Sequence, residues 1–268
     1  MMGANGKRIK LVVCDIDGTL VGPNDYGISI GKQALDFCKK RGVRVTAATG
    51  RAFGAAQRHL EYLGIDEPAI TNGGALIAKF VEPPLYEKTI DQELAQNIVF
   101  DLEKLGHPFY LMLGKHIYTC FRGSETQKYS NALGYKIIVL DSLKQIPLVP
   151  TQIVLRVSAE KADEIIDVLC AKKWPGVWVQ KSLPHLLEIR PTGVSKASAL
   201  AFLSKSMGII KEEVLSIGDQ LNDLDMLLWA GKNAAVNNAH YLVKDSVAYV
   251  SPYSYGEGVL DIVRKFIR

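Results

Sequence analysis

Only four cysteines occur in the 268 residues, Cys14, Cys38, Cys120 and Cys170, and no two stand in a C-x-x-C spacing. That scarcity argues against a structural zinc site or a disulfide framework, and it fits a reducing, cytoplasmic setting. No eighteen apolar residues run together, so no membrane-spanning helix is expected. The polar, basic start, Met1 to Lys10, leads into only Leu11, Val12 and Val13 before Cys14 and Asp15, so no signal-peptide core is read there. Runs of five like charges are also missing. The 32 Lys and Arg against 28 Asp and Glu leave a net charge of +4, a surplus too small to single out nucleic acid or an anionic membrane as a partner. Neither an internal repeat nor a low-complexity segment is visible. With 48% apolar and 22% charged residues, the composition is that of a globular chain long enough to bury a sizeable core. An enzyme is compatible with all of this, but composition does not say which.

The order of elements is more informative. Ile9 to Cys14 is a short run rich in branched residues, as a buried parallel strand should be. After the turn at Gly22, Pro23 and Asn24, Ser29 can cap a helix whose apolar side is Ile30, Ala34, Phe37 and Cys38, closed by Gly42. A strand over Val43–Ala47, a helix over Ala52–Leu63 and a strand over Ala69–Thr71 follow. This alternation predicts an open, doubly wound parallel sheet, an α/β fold.

At Glu82-Pro83-Pro84 the rhythm changes. Residues 83–190 read as an α+β insert, with strands paired through Gly114-Lys115, a helix over Gln92–Leu105 and two more helices. From Thr192 the first rhythm returns, ending in a strand over Val247–Val250 and a helix over Gly258–Phe266. Two domains are therefore expected, a core over 1–82 and 191–268 and an inserted domain over 83–190.

Four segments carry chemistry. Asp15-Ile16-Asp17-Gly18-Thr19 leaves the first strand with two carboxylates at i and i+2 pointing the same way while Ile16 turns back. Like charges this close need a cation or a shared proton. Thr49-Gly50-Arg51, past the next strand, offers a hydroxyl and backbone N–H groups at a helix start, an anion site. Lys196 falls in the first turn of a helix, where the dipole disfavours a cation unless an anion is near. Gly218-Asp219-Gln220-Leu221-Asn222-Asp223 places three oxygen-bearing residues at a strand tip, a set suited to a hard cation such as Mg²⁺. Taken singly, each has a plainer reading as an acidic turn, a helix cap or a solvated lysine. Together they all fall at strand tips or helix starts, which in a doubly wound sheet share one rim.

In this order the four segments resemble the motifs of the haloacid dehalogenase-like superfamily of phosphohydrolases. The insert, Asn72-Gly73-Gly74 and Glu188-Ile189-Arg190-Pro191 resemble its Cof-like branch with a type-IIB cap. The resemblance implies a phosphoric monoester hydrolase acting on small phosphate esters such as sugar phosphates. It implies Asp15 as nucleophile and Asp17 as general acid and base. Mg²⁺ would be held by Asp15, the Asp17 carbonyl, Asp219 and Asp223. The phosphoryl oxygens would be held by Ile16, Thr49, Gly50, Lys196 and Asn222. Arg51, Asn72, His185 and Arg190 are candidates for contact with the leaving group, and Trp174 and Trp178 for the core of the cap. A phosphomutase of the same superfamily, or a protein that binds phospholigands without turning them over, are the alternative readings.

Overall fold

The computed structural model describes residues 7–267. These form two compact units. One comprises the residues up to Gly50, Ala56–Leu85 and the chain from Ser195 onward; the other comprises Arg51–Ala55 and Tyr86–Val194.

In the first unit the chain runs β1 (Leu11–Cys14), α1 (Ile28–Lys39), β2 (Arg44–Ala47), α2 (Phe53–Leu63, whose first turn belongs to the second unit), β3 (Ala69–Thr71) and β4 (Leu76–Ala78). In the second unit follow β5 (Tyr86–Glu87), α3 (Gln92–Leu105), β6 (Phe109–Leu113), β7 (His116–Thr119), α4 (Ser124–Leu133) and β8 (Ile138–Val139). That unit continues with β9 (Gln152–Arg156), α5 (Ala162–Ala171), β10 (Val177–Leu183) and β11 (Leu186–Pro191). The chain then returns to the first unit with α6 (Lys196–Ser206), β12 (Val214–Gly218), α7 (Leu224–Trp229), β13 (Lys232–Ala235), α8 (Tyr241–Ser246) and α9 (Tyr255–Phe266).

The first unit is built on a parallel sheet of order β13-β12-β1-β2. All four residues of β1 are fully buried, which is why its sequence is a continuous apolar run and not an alternating one. β1 lies between β2, with Leu11 opposite Arg44, and β12, with Leu11 opposite Val214. The chain leaves β1 toward β2 on one side and adds β12 on the other, so the direction of winding switches at β1. That is where open α/β sheets hold ligands.

Several expectations need correction. α1 starts after Gly27 in the left-handed region (φ 75°), so Ser29 lies inside the helix and does not cap it. Its buried stripe is Gly31, Ala34, Leu35 and Cys38, while Ile30 and Phe37 are half-buried. β3 is not a full member of the main sheet. A single bridge joins Ala48 to Ile70, and β3 instead pairs antiparallel with β4 across a reversal at Asn72 (φ 52°) and Gly73 (φ 62°). The expected strand at 247–250 reduces to one bridge, Ala235 to Val250. The helix that the sequence suggests over Leu221–Ala230 starts later: Leu221–Asp223 forms a 3₁₀ turn, and α7 begins only at Leu224.

The second unit is a six-stranded sheet of order β10-β11-β9-β6-β7-β8, antiparallel except for β7 with β8. Its strands alternate as a two-faced sheet requires. Phe109, Leu111, Ile153, Leu155, Leu187 and Ile189 pack with Ile98 and Leu102 of α3 and Ile165 and Leu169 of α5, with Trp174 against the same core. Tyr110, Met112 and Val154 point the other way and pack with Tyr129 of α4 and with Ala52 and Ala55.

In the first unit, α1 and α9 approach closely because glycines face each other. A Cβ on Gly256 would lie 2.3 Å from the Gly27 carbonyl oxygen and 2.5 Å from the Gly31 nitrogen. Gly256→Ala therefore has to push the helices apart. Its expected cost is about 1–3 kcal/mol, the usual range for overpacking. Urea unfolding of the variant would show a lowered midpoint; an unchanged midpoint would contradict the close contact.

Candidate active site

Asp15 follows β1 directly, and its N–H donates to the Ile217 carbonyl (2.9 Å), which continues the β1–β12 ladder to the strand tips. Asp219 leaves the tip of β12 on the neighbouring strand. Thus two carboxylates some two hundred residues apart in sequence emerge side by side. Asp15, Asp219 and Asp223 are all buried, and each offers an oxygen within 4.8 Å of the others.

Lys196 enters this cluster at the first residue of α6. Ser195 caps the helix by accepting from the Ser198 N–H (3.1 Å), while the Ser198 hydroxyl accepts from the Ser195 N–H (3.0 Å). The Lys196 ammonium donates to Asp15 Oδ1 (2.7 Å) and to Asp223 Oδ1 (2.5 Å). Those two carboxylates offset both its burial and its position at the positive end of the helix. The Asn72-Gly73-Gly74 turn fits against the same helix start. Gly74 has φ 107°, and a Cβ there would lie 2.2 Å from the Ser195 carbonyl oxygen. Asn72 is fully buried in the same unit.

Asp223 and Asp219 are anchored further. Asp223 Oδ2 accepts from the N–H groups of Asp219 and Gln220, both at 3.0 Å. Asp219 Oδ1 accepts from the Thr19 hydroxyl (2.7 Å), and its Oδ2 accepts from the Gln220 amide (3.1 Å). Gly18 has φ 90°, and a Cβ there would fall 2.2 Å from Asp219 Oδ2, so only glycine leaves the carboxylate its place. Thr19, Gln220 and Gly74 are parts of the site that motif spacing did not assign. Thr19 lies within the Asp15–Thr19 run, and the glycine of Asn72-Gly73-Gly74 was the only sequence signal for the close approach at α6.

Burial strongly raises the Asp15 pKa, and the nearby Asp223, Asp219 and Asp17 carboxylates raise it further against the lowering effect of Lys196. Burial also pushes Asp219 up to about 6, against the Thr19 hydrogen bond. For Lys196, burial opposes the charge, but the Asp15 and Asp223 carboxylates outweigh it and raise its pKa. Three buried carboxylates thus cluster around one ammonium, which donates to two of them. If all three ionise, negative charge remains uncompensated, and a hard divalent cation is the group this oxygen set fits.

The remaining candidates are placed as follows. Asp17 is exposed beside the cluster, and Ile16 is fully buried. Thr49 is buried, but α2 begins only at Phe53, so it does not open a helix. Its N–H donates to the Ile70 carbonyl (2.9 Å) and its carbonyl accepts from Gly73 (3.1 Å), as in a strand. Beside Gly50 there is open space. Asn222 is exposed in the 3₁₀ turn. Arg51, His185 and Arg190 belong to the second unit. There Arg190 stacks over the Trp178 ring (4.5 Å) and faces Glu188 (3.4 Å), Arg51 donates to the Ala55 carbonyl (3.4 Å), and His185 is exposed in the turn between β10 and β11. A cleft of about 860 Å³ in that unit, lined by Arg122, Thr126, Tyr135 and Lys136 among others, contains none of the site residues expected from sequence.

The tips of β1 and β12 thus gather three acids and one lysine at the rim of a doubly wound sheet. A family model for haloacid dehalogenase-like hydrolases matches residues 12–263. The chain belongs to that family, in its Cof-like branch, and is a phosphoric monoester hydrolase. It is 29% identical to the stress response protein YhaX of Bacillus subtilis, over 97% of this chain and 93% of that one. It is 24% identical to the 5-amino-6-(5-phospho-D-ribitylamino)uracil phosphatase YcsE of the same organism, over 97% and 96%. A haloacid dehalogenase-like hydrolase structure from Bacteroides thetaiotaomicron superposes with a TM-score of 0.88 at 25% identity, covering 96% of this chain and 99% of that one. Phosphatases of this family generally use a divalent metal.

Removing the shared cation should expose its structural weight. Lys196→Met leaves Asp15 and Asp223 buried without their partner and should cost about 3–5 kcal/mol, the range for breaking a buried pair. Urea unfolding in metal-free buffer at neutral pH measures this; a loss under about 1 kcal/mol would contradict the pairing.

Proposed function

We propose that the chain is a Mg²⁺-dependent phosphatase of small phosphorylated metabolites, sugar phosphates or similar monoesters, working through an aspartyl-phosphate on Asp15. The observation that carries the reading is the arrangement of Asp15, Asp219 and Asp223, with oxygens within 4.8 Å of one another and Lys196 donating to two of them.

Asp15 attacks phosphorus in line with the leaving oxygen, forming the Asp15 Oδ–P bond as the ester P–O bond breaks. Asp17 gives its proton to the departing alkoxide. It then takes a proton from the water whose oxygen attacks the phosphorus, which releases inorganic phosphate and restores the Asp15 carboxylate. Lys196, the Thr49 hydroxyl, Asn222 and the backbone N–H groups at Ile16 and Gly50 hold the phosphoryl oxygens, with Lys196 adding the positive charge. Asp15, the Asp17 carbonyl, Asp219 and Asp223 are the residues that would hold Mg²⁺, which supplies charge neutralisation between the anionic carboxylate and the anionic phosphoryl group.

The insert over 83–190 is read as the cap domain, and Arg51 and Asn72 of the chain before it, with His185 and Arg190 within it, are the candidates for contact with the leaving group. The name of the relative YcsE, a phosphatase of a phosphoribityl compound, supports the substrate class. Release of inorganic phosphate without an added sugar bisphosphate separates this reading from a phosphomutase. Turnover of any ester separates it from a binding protein.

Two outcomes are expected in a phosphate-release screen over sugar phosphates, nucleotides, phosphoglycolate and pyridoxal phosphate. Asp15→Asn should abolish turnover with little change in unfolding midpoint, since an amide cannot attack phosphorus; a near-normal rate would overturn the covalent step. Chelation should abolish the wild-type rate, and added Mg²⁺ should restore it. Activity that persists after exhaustive chelation would remove the metal from the reading.

A further inference from the structure

Asp17 is exposed, and the loop that carries it helps to set where its carboxyl points. That loop is tightly drawn. The Gly18 N–H donates to the Val21 carbonyl (2.8 Å), the Val21 N–H donates to the Ile16 carbonyl (2.9 Å), and Gly18 itself sits at φ 90°. The Gly18 carbonyl, the next peptide oxygen after Asp17, accepts a 2.7 Å hydrogen bond from the side-chain amide of Asn238, 220 positions along the chain.

The other end of that amide is also engaged. Asn238 Oδ1 accepts from the N–H of Tyr255 (3.1 Å), the first residue of α9, which is held at φ 52°. The Tyr255 ring covers Gly22, where a Cβ would approach it to 3.1 Å, and meets Tyr26 edge-on with centroids 5.8 Å apart. One half-buried amide therefore joins the loop carrying Asp17 to the start of the last helix. Among the described residues, its side chain bonds to Gly18 and Tyr255 and to none of Asp15, Asp219, Asp223 or Lys196.

We infer that Asn238 is a positioning residue for Asp17: by holding the Gly18 carbonyl it fixes where the general acid presents its proton to the leaving oxygen. The inference rests on the proposed acid role of Asp17. Losing the bond removes one of the ties on the Gly18–Thr19 peptide and loosens the loop, and a displacement of about 1 Å at a reacting group can cost as much as ~10²-fold in rate. The loss has a chemical signature. A poor leaving group, an alkoxide, needs the proton, whereas an activated one such as p-nitrophenolate departs with little help.

The test compares kcat/KM for an alkyl phosphate that the wild type turns over with that for p-nitrophenyl phosphate, in the Mg²⁺-loaded full chain. Variants are Asn238→Ala, Asn238→Asp and Asp17→Asn. Asn238→Asp keeps the acceptor for the Tyr255 N–H but, ionised, cannot donate to the Gly18 carbonyl. Both Asn238 variants should lose about 10- to 100-fold on the alkyl ester and less than about threefold on the aryl ester, in the direction of a larger gap for Asp17→Asn. Equal losses on both esters, or an Asn238→Asp variant that behaves as wild type, would assign Asn238 to capping α9 and overturn the inference alone. If Asp17→Asn itself shows no gap between the esters, the acid role of Asp17 falls, and the positioning role with it.

Discussion

A single buried ammonium organises the centre of this protein. Lys196 is held between Asp15 and Asp223, three residues from three separate segments of the chain, and none of them could be buried alone. The β1–β12 pairing delivers Asp15, the turn after β12 delivers Asp223, and the Ser195 cap with the Gly74 contact delivers the lysine. Most of what surrounds the site reads as a means of keeping these three groups in register.

That arrangement has a built-in imbalance. Lysine offsets one carboxylate charge, and Asp15, Asp219 and Asp223 bring three. Burial penalises the ionised acids, as the upward displacement of Asp15 and of Asp219 records. A centre of this kind is poised for a further cation, and by the proposed chemistry for an anionic phosphoryl group with it. The hydrogen bonds from Thr19 and Gln220 to Asp219, and from two backbone N–H groups to Asp223, orient these oxygens without satisfying their charge.

Much of this was legible in the amino-acid order. Buried parallel strands read as short branched runs, so β1 and β12 were found, and with them the tips that carry Asp15 and Asp219. α3 falls on Gln92–Leu105 because its apolar period is regular and Asp91 caps it, and α6 starts one residue after Ser195, which caps it. Where the reading failed, a backbone interaction outweighed a local preference. Thr49 has a helix-capping side chain, yet its N–H and carbonyl are both taken by the chain around β3, so the helix waits until Phe53. Ser29 is a good cap by type, yet the helix already starts after the left-handed Gly27, whose carbonyl accepts from the Gly31 N–H (2.9 Å). β3 turns back into β4 because Asn72 and Gly73 adopt positive φ, a reversal that the short runs Ala69-Ile70-Thr71 and Leu76-Ile77-Ala78 do not announce by their own pattern. The partners of single hydrogen bonds, Thr19 with Asp219 and Asn238 with Gly18, have no periodicity to reveal them. Only the fold brings them together.

The most direct test of the account is to find where the phosphoryl group goes. The enzyme would be mixed with a turned-over phosphomonoester and Mg²⁺, quenched in acid during the first turnover, and its peptides mapped by mass spectrometry. The account predicts a phosphorylated Asp15, sensitive to hydroxylamine as an acyl phosphate must be. A phosphoryl group on any other residue, or a first turnover completed with no phosphorylated protein, would contradict it.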